Sequence, residues 1–180
     1  MTWTVRKATP PDASEIARIN VDGWRVAYAD IVPAEALESL DVESFADSYR
    51  EILAADDPIA VFVATDGGRI GAFCGVCPVR NGERDAHSSQ PTGELAAIYV
   101  APAMRGTGAG HAVHDAGLAH LAATGFEHAV LWVFEANQLA RSFYARHGWV
   151  VDSAHEHYET RGQTIPQVRY SRRPRTSTNG

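Results

Sequence analysis

The first part of the chain changes from a strand pattern to helical spacing of its apolar residues. Trp3 to Ala8 predicts a first strand, and Asp12 then forms a D-x-x-E capping pattern with Glu15. We therefore expect a helix from Asp12 towards Ala29. Spacings of four, three and four residues place one set of apolar side chains on a single face of that helix. These residues are Ala17, Val21, Trp24 and Tyr28.

The next segment predicts two further helices and a hairpin. Pro33 suits the first turn of a short helix, and a third amphipathic helix carries Phe45, Tyr49, Ile52 and Leu53. Two β-rich runs, Ile59 to Thr65 and Arg69 to Val79, are joined by Asp66-Gly67-Gly68. Because glycine adopts positive φ angles readily, this turn predicts an antiparallel hairpin. The polar residues Arg80 to Thr92 follow, and they predict a surface loop.

A buried strand is predicted in the middle of the chain, because Leu95 to Val100 is apolar throughout. We expect this strand, which begins at Glu94, to lie centrally in the sheet with both faces covered. Further elements follow along the chain. They are a helix from Gly108 to about Thr124, a buried strand Val130 to Phe134, a helix Leu139 to His147, and a hairpin that turns near Arg161-Gly162. This order predicts one α+β domain over residues 1–173 and a disordered basic tail over 174–180.

Net charge and composition limit the classes of partner. The 180 residues include 16 Lys plus Arg and 22 Asp plus Glu, which gives a formal net charge of -6. This excess of acid repels nucleic acid and anionic membranes and favours a positively charged substrate. The first residues contain no apolar signal-like segment, and no run of about 18 apolar residues occurs. We therefore expect a cytoplasmic protein without nucleic-acid or membrane partners, in which Cys74 and Cys77 stay reduced on opposite faces of a strand.

A glycine-rich turn between the central strand and the following helix carries the clearest chemical signal. Arg105-Gly106-Thr107-Gly108-Ala109-Gly110 would expose backbone N–H groups at a helix N-terminus, where partial positive charge favours a phosphate. The segment lacks the Lys-Ser/Thr end of a P-loop. His111 also stands where the dinucleotide fingerprint G-x-G-x-x-G requires its last glycine. By itself, the turn fits a tight strand-to-helix connection equally well.

Together with its surroundings, this turn resembles the GNAT superfamily of N-acetyltransferases. The likeness covers Val5 to about Arg172. It includes the strand Glu94 to Val100, Pro102, the R-G-x-G-x-G turn, Asn137, Phe143-Tyr144 and Gly148-Trp149. The resemblance implies a mixed, mostly antiparallel central sheet with a splayed parallel strand pair, flanked by helices, and acetyl-CoA as co-substrate. In that family the turn binds the pyrophosphate of coenzyme A, and pantetheine enters the splayed gap like an additional strand.

The resemblance also implies roles for individual residues. The residues that would bind the coenzyme are Ile98, Tyr99, Val100, Arg105, Gly106, Thr107, Gly108, Ala109, Gly110, His111, Asn137 and Tyr144. Tyr144 matches the acid that protonates the leaving thiolate, and Glu94 matches an acidic residue that deprotonates the amine, directly or through water. Trp24, Tyr28 and Glu135 would contact the acceptor.

Several of these roles have a structural alternative. Trp24, Tyr28 and Tyr144 could be core aromatic residues. Glu94 could be a solvated strand end, and Asn137 could be a plain N-cap.

The sequence therefore predicts an N-acetyltransferase that carries the acetyl group of acetyl-CoA to a primary amine of a small molecule or peptide. The amine would attack directly in a ternary complex. The alternative is a non-catalytic acyl-CoA binding or sensing module of the same fold. No metal is expected, because the pairs His111/His114 and His155/His157 lack a completing ligand and fit surface histidines. The C-terminal strands could mediate a homodimer.

Overall fold

The computed structural model describes residues 2–55, 58–79 and 90–174. The helices are α1 Ala13–Ala27, α2 Ala34–Glu38, α3 Val42–Ala54, α4 Ala109–Ala123 and α5 Gln138–Arg146. The strands are β1 Thr4–Lys7, β2 Ala60–Asp66, β3 Arg69–Pro78, β4 Thr92–Val100, β5 His128–Phe134, β6 Val150–Thr160 and β7 Gln163–Arg172. This mixture confirms the predicted α+β class. Most of the predicted loop Arg80 to Thr92, and the tail 174–180 beyond Pro174, lie outside the described residues.

The strands form one seven-stranded sheet in the order β1-β2-β3-β4-β5-β7-β6. All neighbouring strands run antiparallel except β4 and β5, which are parallel. That parallel pair is short: Thr92, Gly93 and Glu94 face His128, Ala129 and Val130, and pairing then stops. Because β4 stays paired to β3 as far as Val100 and β5 stays paired to β7 as far as Phe134, the two strands diverge into a gap. The predicted splayed parallel pair is confirmed.

The central strand is less covered than its apolar sequence predicts. β4 is the fourth of the seven strands, as expected. Leu95 is buried, but Ala96 is exposed and the residues from Ala97 to Val100 are only half-buried. The prediction that both faces are covered along Leu95 to Val100 is therefore wrong. The reason is the gap, since β5 leaves β4 without a neighbour on that side after Glu94.

Helices cover the sheet on both sides. Ile16 and Ile19 of α1 join Phe73 and Tyr99 in one hydrophobic cluster, against which α3 also packs. On the opposite side, Val113 of α4 lies in a cluster with strand residues of β2 and β3. Helix α5 packs with α4 and β5 in a third cluster. No helix within the described ranges is long and apolar enough to cross a membrane.

The start of α1 differs from its predicted capping. The Asp12 carboxylate accepts hydrogen bonds from the Thr9 N–H at 2.8 Å and from both terminal nitrogens of Arg6, and it makes no cap bond to α1. The hydrogen bond from Arg6 is the main reason that the pKa of Asp12 is lowered to about 2. Asp12 thus ends a single 3-10 turn that is tied to β1, and α1 begins at Ala13.

His114 connects α4 to the segment after α5. Its side chain is 1% exposed, so the expectation of a surface histidine is wrong. His114 Nε2 accepts a hydrogen bond from Trp149 Nε1 at 2.9 Å, and Nδ1 donates to an Asp115 oxygen at 2.8 Å. Burial disfavours the charged ring and lowers the pKa of His114 to about 4. The imidazole is therefore a neutral link that holds α4 in place.

Protonation of His114 should destabilise the protein below neutral pH. Between pH 6.5 and about 4, the unfolded chain binds a proton at His114 that the folded protein excludes, so stability falls as the pH falls through this window. The loss amounts to about 3 kcal/mol at most, at about 1.4 kcal/mol for each unit of pKa. The variant His114→Gln keeps a donor and an acceptor but does not titrate, and it should abolish this loss in urea denaturation.

The exposed residue His157 offers a matched control, because His157→Gln should retain the full loss. The contribution of Asp12 is separable, since its stabilisation is lost only as the pH falls from 3.8 towards about 2. An unchanged pH dependence in His114→Gln would show that another group is responsible.

Candidate active site

The glycine-rich turn lies between the end of β4 and the start of α4. Gly106 has a φ of 75° and Gly108 a φ of 92°, a left-handed backbone region that disfavours other residues. Apart from its chain neighbours, no described residue has a heavy atom within 4 Å of a Cβ built on Gly106, and at Gly108 the nearest such atom is Trp3 Cδ1 at 4.0 Å. The exposed side of the turn is therefore open to a ligand.

Two hydrogen bonds hold the turn in shape. Trp3 Nε1 donates to the Thr107 carbonyl at 3.0 Å, and the Thr107 hydroxyl donates to the Met104 carbonyl at 2.6 Å. Trp3 is a residue that sequence reasoning missed. It lies 104 positions from Thr107, and no local pattern links the two.

Helix α4 begins close to the last residue of β4. A Cβ on Gly110 would lie 2.9 Å from Val100 Cγ2, so only glycine permits this approach. The first turn of α4 has no preceding helical carbonyls for its backbone N–H groups. These donors, from Gly108 to His111, carry the partial positive charge of a helix N-terminus. They lie at the end of β4 where the gap is open, which is the arrangement that suits a phosphate.

The His111 side chain contacts His147 and Asp115. His147 Nδ1 donates to the Phe143 carbonyl at 2.8 Å, so its Nε2 accepts from His111 Nδ1, also at 2.8 Å. His111 Nε2 lies 3.2 Å from an Asp115 oxygen. The backbone of His111 therefore belongs to the turn, whereas its ring joins α4 to α5.

The gap brings several of the predicted coenzyme residues together. Ile98 packs against a cluster that contains Leu131 and Val133 of β5 and Tyr144 of α5. Val100 packs beside Val113 on the α4 side, whereas Tyr99 lies on the α1 side with Phe73. Beyond Glu94, the edge of β4 that faces β5 has no strand partner in the part of the chain that the structure describes. An extended ligand could satisfy these backbone groups as an added strand does.

Asn137 caps α5 and keeps a free donor. Its side-chain oxygen accepts from the Ala140 N–H at 3.1 Å, which confirms the N-cap reading. The side chain is buried, at 8% exposure. Within the described ranges, its Nδ2 group makes no hydrogen bond. Capping therefore leaves the amide nitrogen available to a ligand.

Tyr144 is buried in the core but its hydroxyl is unpaired. The residue is 7% exposed and contacts Trp149 and Tyr170 at ring distances of 6.1 and 6.0 Å. Its hydroxyl has no hydrogen-bond partner among the residues that the structure describes. Burial raises the pKa of Tyr144, so the hydroxyl stays protonated at neutral pH. An unpaired, protonated hydroxyl is what a proton donor requires.

Glu94 lies at the closed end of the gap. It is the last residue of β4 that pairs with β5, where it faces Val130, and it is half-buried. The structure thus places it where the two strands begin to separate.

Trp24 and Tyr28 form part of an aromatic cluster. The Tyr28 ring lies 4.8 Å from both Trp24 and Phe134, and Trp24 lies 5.9 Å from Tyr158. Both residues are half-buried, so they are core contacts that also keep some exposed surface. The Tyr28 hydroxyl is also 3.4 Å from that of Tyr99, and burial raises the pKa of both tyrosines.

Glu135 does not join this aromatic cluster. It follows β5 and is exposed, and its described hydrogen bonds are through the backbone, to Pro166 and Arg141.

Sequence reasoning also missed Asn20, which is buried on α1 with 6% exposure. Its signal was present: it lies four residues after Ile16 and four before Trp24, a polar residue on the apolar face. Across residues 2–55, 58–79 and 90–174, no group of three or more His, Cys, Asp or Glu side chains is arranged to hold a metal ion.

Comparison with known proteins identifies similar sequences and folds. The sequence model of the Acetyltransferase (GNAT) family matches residues 24–149. The uncharacterized N-acetyltransferase YuaI of Bacillus subtilis (strain 168) is 35% identical over 135 residues, which span 74% of this chain and 73% of that protein.

Two solved structures share the fold at low sequence identity. The PaiA N-acetyltransferase of Thermoplasma acidophilum, in complex with coenzyme A, has a TM-score of 0.74 at 18% identity, covering 96% of this chain and 99% of its own. The yncA protein of Salmonella typhimurium, with its cofactor acetyl-CoA, has a TM-score of 0.70 at 17% identity. The match covers 100% of this chain and 98% of the yncA chain.

Proposed function

The chain belongs to the Acetyltransferase (GNAT) family, and on that basis we propose that it transfers the acetyl group of acetyl-CoA to a primary amine of a small molecule or peptide. The observation that carries this proposal is the gap between β4 and β5, which opens towards the glycine-rich turn. Acetyl-CoA supplies an activated acetyl group as a thioester. The proposed reaction is a direct attack by the amine in a ternary complex.

The coenzyme would be held by backbone groups more than by side chains. The N–H groups from Gly106 to His111 would donate to its phosphates, with Arg105 nearby on the exposed surface. The unpaired edge of β4 at Ile98, Tyr99 and Val100 would pair with pantetheine. The unpaired Nδ2 of Asn137 adds a side-chain donor on the other side of the gap.

Proton movements determine the roles of Tyr144 and Glu94. As the nitrogen–carbon bond forms and the carbon–sulfur bond breaks, the Tyr144 hydroxyl would donate its proton to the sulfur. Glu94, directly or through water, would accept the proton of the amine nitrogen, since only a neutral amine attacks. A backbone N–H of the Ile98 to Val100 segment would stabilise the negative charge on the carbonyl oxygen. One such donor contributes about 3 kcal/mol in comparable sites.

The proposal also covers the cellular compartment and the oligomeric state of the enzyme. Cys74 and Cys77 are both buried, and reduced thiols at these positions fit a reducing cytoplasm. Val150 and Val151 of the outer strand β6 are 66% and 42% exposed, which supports a homodimer through the C-terminal strands.

The decisive experiment measures release of free thiol from acetyl-CoA across a panel of primary amines. We expect release that depends on the amine, together with the acetylated product by mass spectrometry. Binding of acetyl-CoA without release on any amine would contradict transfer and favour the sensing module of the same fold.

The turn can be tested by Gly108→Trp. This side chain should fill the space that the phosphates need, and we expect acetyl-CoA binding to be lost in calorimetry. Gly125 provides a matched control, because its φ is also 92° and it lies at the other end of α4. Gly125→Trp carries the same backbone strain and should bind acetyl-CoA normally. Equal affinities in the two variants would exclude the turn as the phosphate site.

Tyr144 can be tested by Tyr144→Phe, which removes only the hydroxyl. We expect kcat to fall by about 10²-fold or more, the typical contribution of a positioned proton donor, with acetyl-CoA affinity nearly unchanged. Tyr170→Phe is the control, because Tyr170 is a neighbouring buried tyrosine with a hydrogen bond from Arg141. If kcat of Tyr144→Phe equals that of the wild type, water or another group protonates the thiolate.

A further inference from the structure

A cavity that is separate from the gap between β4 and β5 lies on the face of the sheet opposite α4. It occupies about 330 Å³ between α1, α3 and the strands β2 to β4. Ligand pockets range from about 300 to 1,000 Å³, so this space fits a small group. Its walls are mainly apolar and include Phe45, Ile52, Val61 and Phe73. None of its described lining residues carries a charge.

One buried polar group in the lining has an unsatisfied atom. Asn20 is 6% exposed, and its Nδ2 group donates to the Tyr49 hydroxyl at 2.8 Å. Asn20 Oδ1 has no hydrogen-bond partner, and it is the only buried side-chain nitrogen or oxygen atom in this condition among the described residues. A buried acceptor without a donor is unfavourable. Because Asn20 lines the cavity, a ligand that supplies a donor would gain free energy by drawing this amide towards it.

The cavity reaches the strand that borders the gap. Ala96 and Ala97 of β4 contribute to its lining. Gly75 faces Ala97 and Val76 faces Leu95, so Ala96 is an extra residue that bulges out of the β3–β4 pairing. This bulge comes two residues after Glu94, where β4 loses β5. A molecule in the cavity therefore lies next to the start of the gap.

The chemistry of the lining restricts what can occupy it. A carboxylate or ammonium group would lose its hydration among apolar walls without gaining an opposite charge. The Tyr49 hydroxyl accepts from Asn20 and can still donate one hydrogen bond. The preferred occupant is therefore uncharged and apolar, with a hydroxyl or amide group that donates to Asn20 Oδ1.

We propose that this cavity holds the non-reacting part of the amine acceptor, which is an uncharged apolar group bearing one hydrogen-bond donor for Asn20. The proposal rests on the proposed acetyl transfer. It refines the expectation of a cationic acceptor: the reacting amine brings the positive charge, and the rest of the acceptor is neutral.

The test uses three primary amines that differ in one group. Tyramine has a hydroxyl donor, phenethylamine lacks it, and 4-(2-aminoethyl)benzoate carries a charge at the same place. For the wild type we expect kcat/KM to decrease in that order. Asn20→Leu should lower kcat/KM for tyramine about tenfold through KM, with phenethylamine and the KM for acetyl-CoA changing by less than about twofold. Equal effects on tyramine and phenethylamine would overturn the proposal.

Two further variants guard against misfolding of the buried substitution. Ser48→Trp places a bulky side chain at an exposed residue of the lining. It should weaken tyramine binding, seen as a higher KM, without changing acetyl-CoA affinity. Gln163→Leu makes the comparable amide-to-leucine change at an exposed site on β7 and should behave as the wild type. Normal tyramine kinetics in Ser48→Trp would exclude the cavity as the site that binds the acceptor.

Thermal unfolding with each amine separates this proposal from the transfer reaction. If no amine is acetylated but tyramine stabilises the wild type and not Asn20→Leu, the cavity is a binding site and the proposed reaction is wrong. If the amines are acetylated with no dependence on Asn20, the reaction stands and the cavity is not the acceptor site. Neither turnover nor stabilisation with any of the three amines would overturn the cavity proposal, and the wider amine panel then decides the transfer reaction.

Discussion

The separation of β4 from β5 is the constraint on which the rest of the site depends. β4 is paired to β3 from Gly93 to Val100, but to β5 only from Thr92 to Glu94. β5 cannot follow β4, because it remains paired to β7 through Phe134. Backbone groups left without a partner in a sheet are unfavourable unless water or a ligand satisfies them. The fold thus keeps a strand-shaped binding edge in its centre, with a helix N-terminus at the end of β4.

Residues outside the gap keep it in this shape. Trp3, at the start of the chain, fixes the Thr107 carbonyl, and His114 receives the indole N–H of Trp149. Gly110 lets α4 approach Val100. These contacts join three separate parts of the chain around the open edge. The turn is consequently a rigid donor array, and a rigid array loses little conformational entropy when a phosphate binds.

The two sides of the sheet present different chemistry. The side of α4 contributes backbone donors, which suit an anionic coenzyme whatever the sequence of the remaining residues. The side of α1 and α3 contributes an uncharged cavity with one unsatisfied oxygen, Asn20 Oδ1. The acidic excess of the whole chain can attract a cationic amine from solution. In the proposed acceptor complex, recognition at short range would then depend on the neutral lining, because a charge is expensive to bury there.

The sequence by itself determined the order of the elements, the antiparallel hairpins, the position of the glycine-rich turn and the family, since periodicity, glycine positions and short motifs act between neighbouring residues. It also placed Asn137 correctly at the cap of α5. Only the tertiary structure decided that Ala96 is exposed, that His114 is buried, that Asp12 binds Arg6, and that Asn20 Oδ1 finds no donor among the described residues. Three of these depend on which distant segment packs beside the residue, and the contact of Asp12 with Arg6 depends on the turn that joins β1 to α1. Burial and hydrogen-bond satisfaction are properties of the whole packed chain, and local spacing does not encode them.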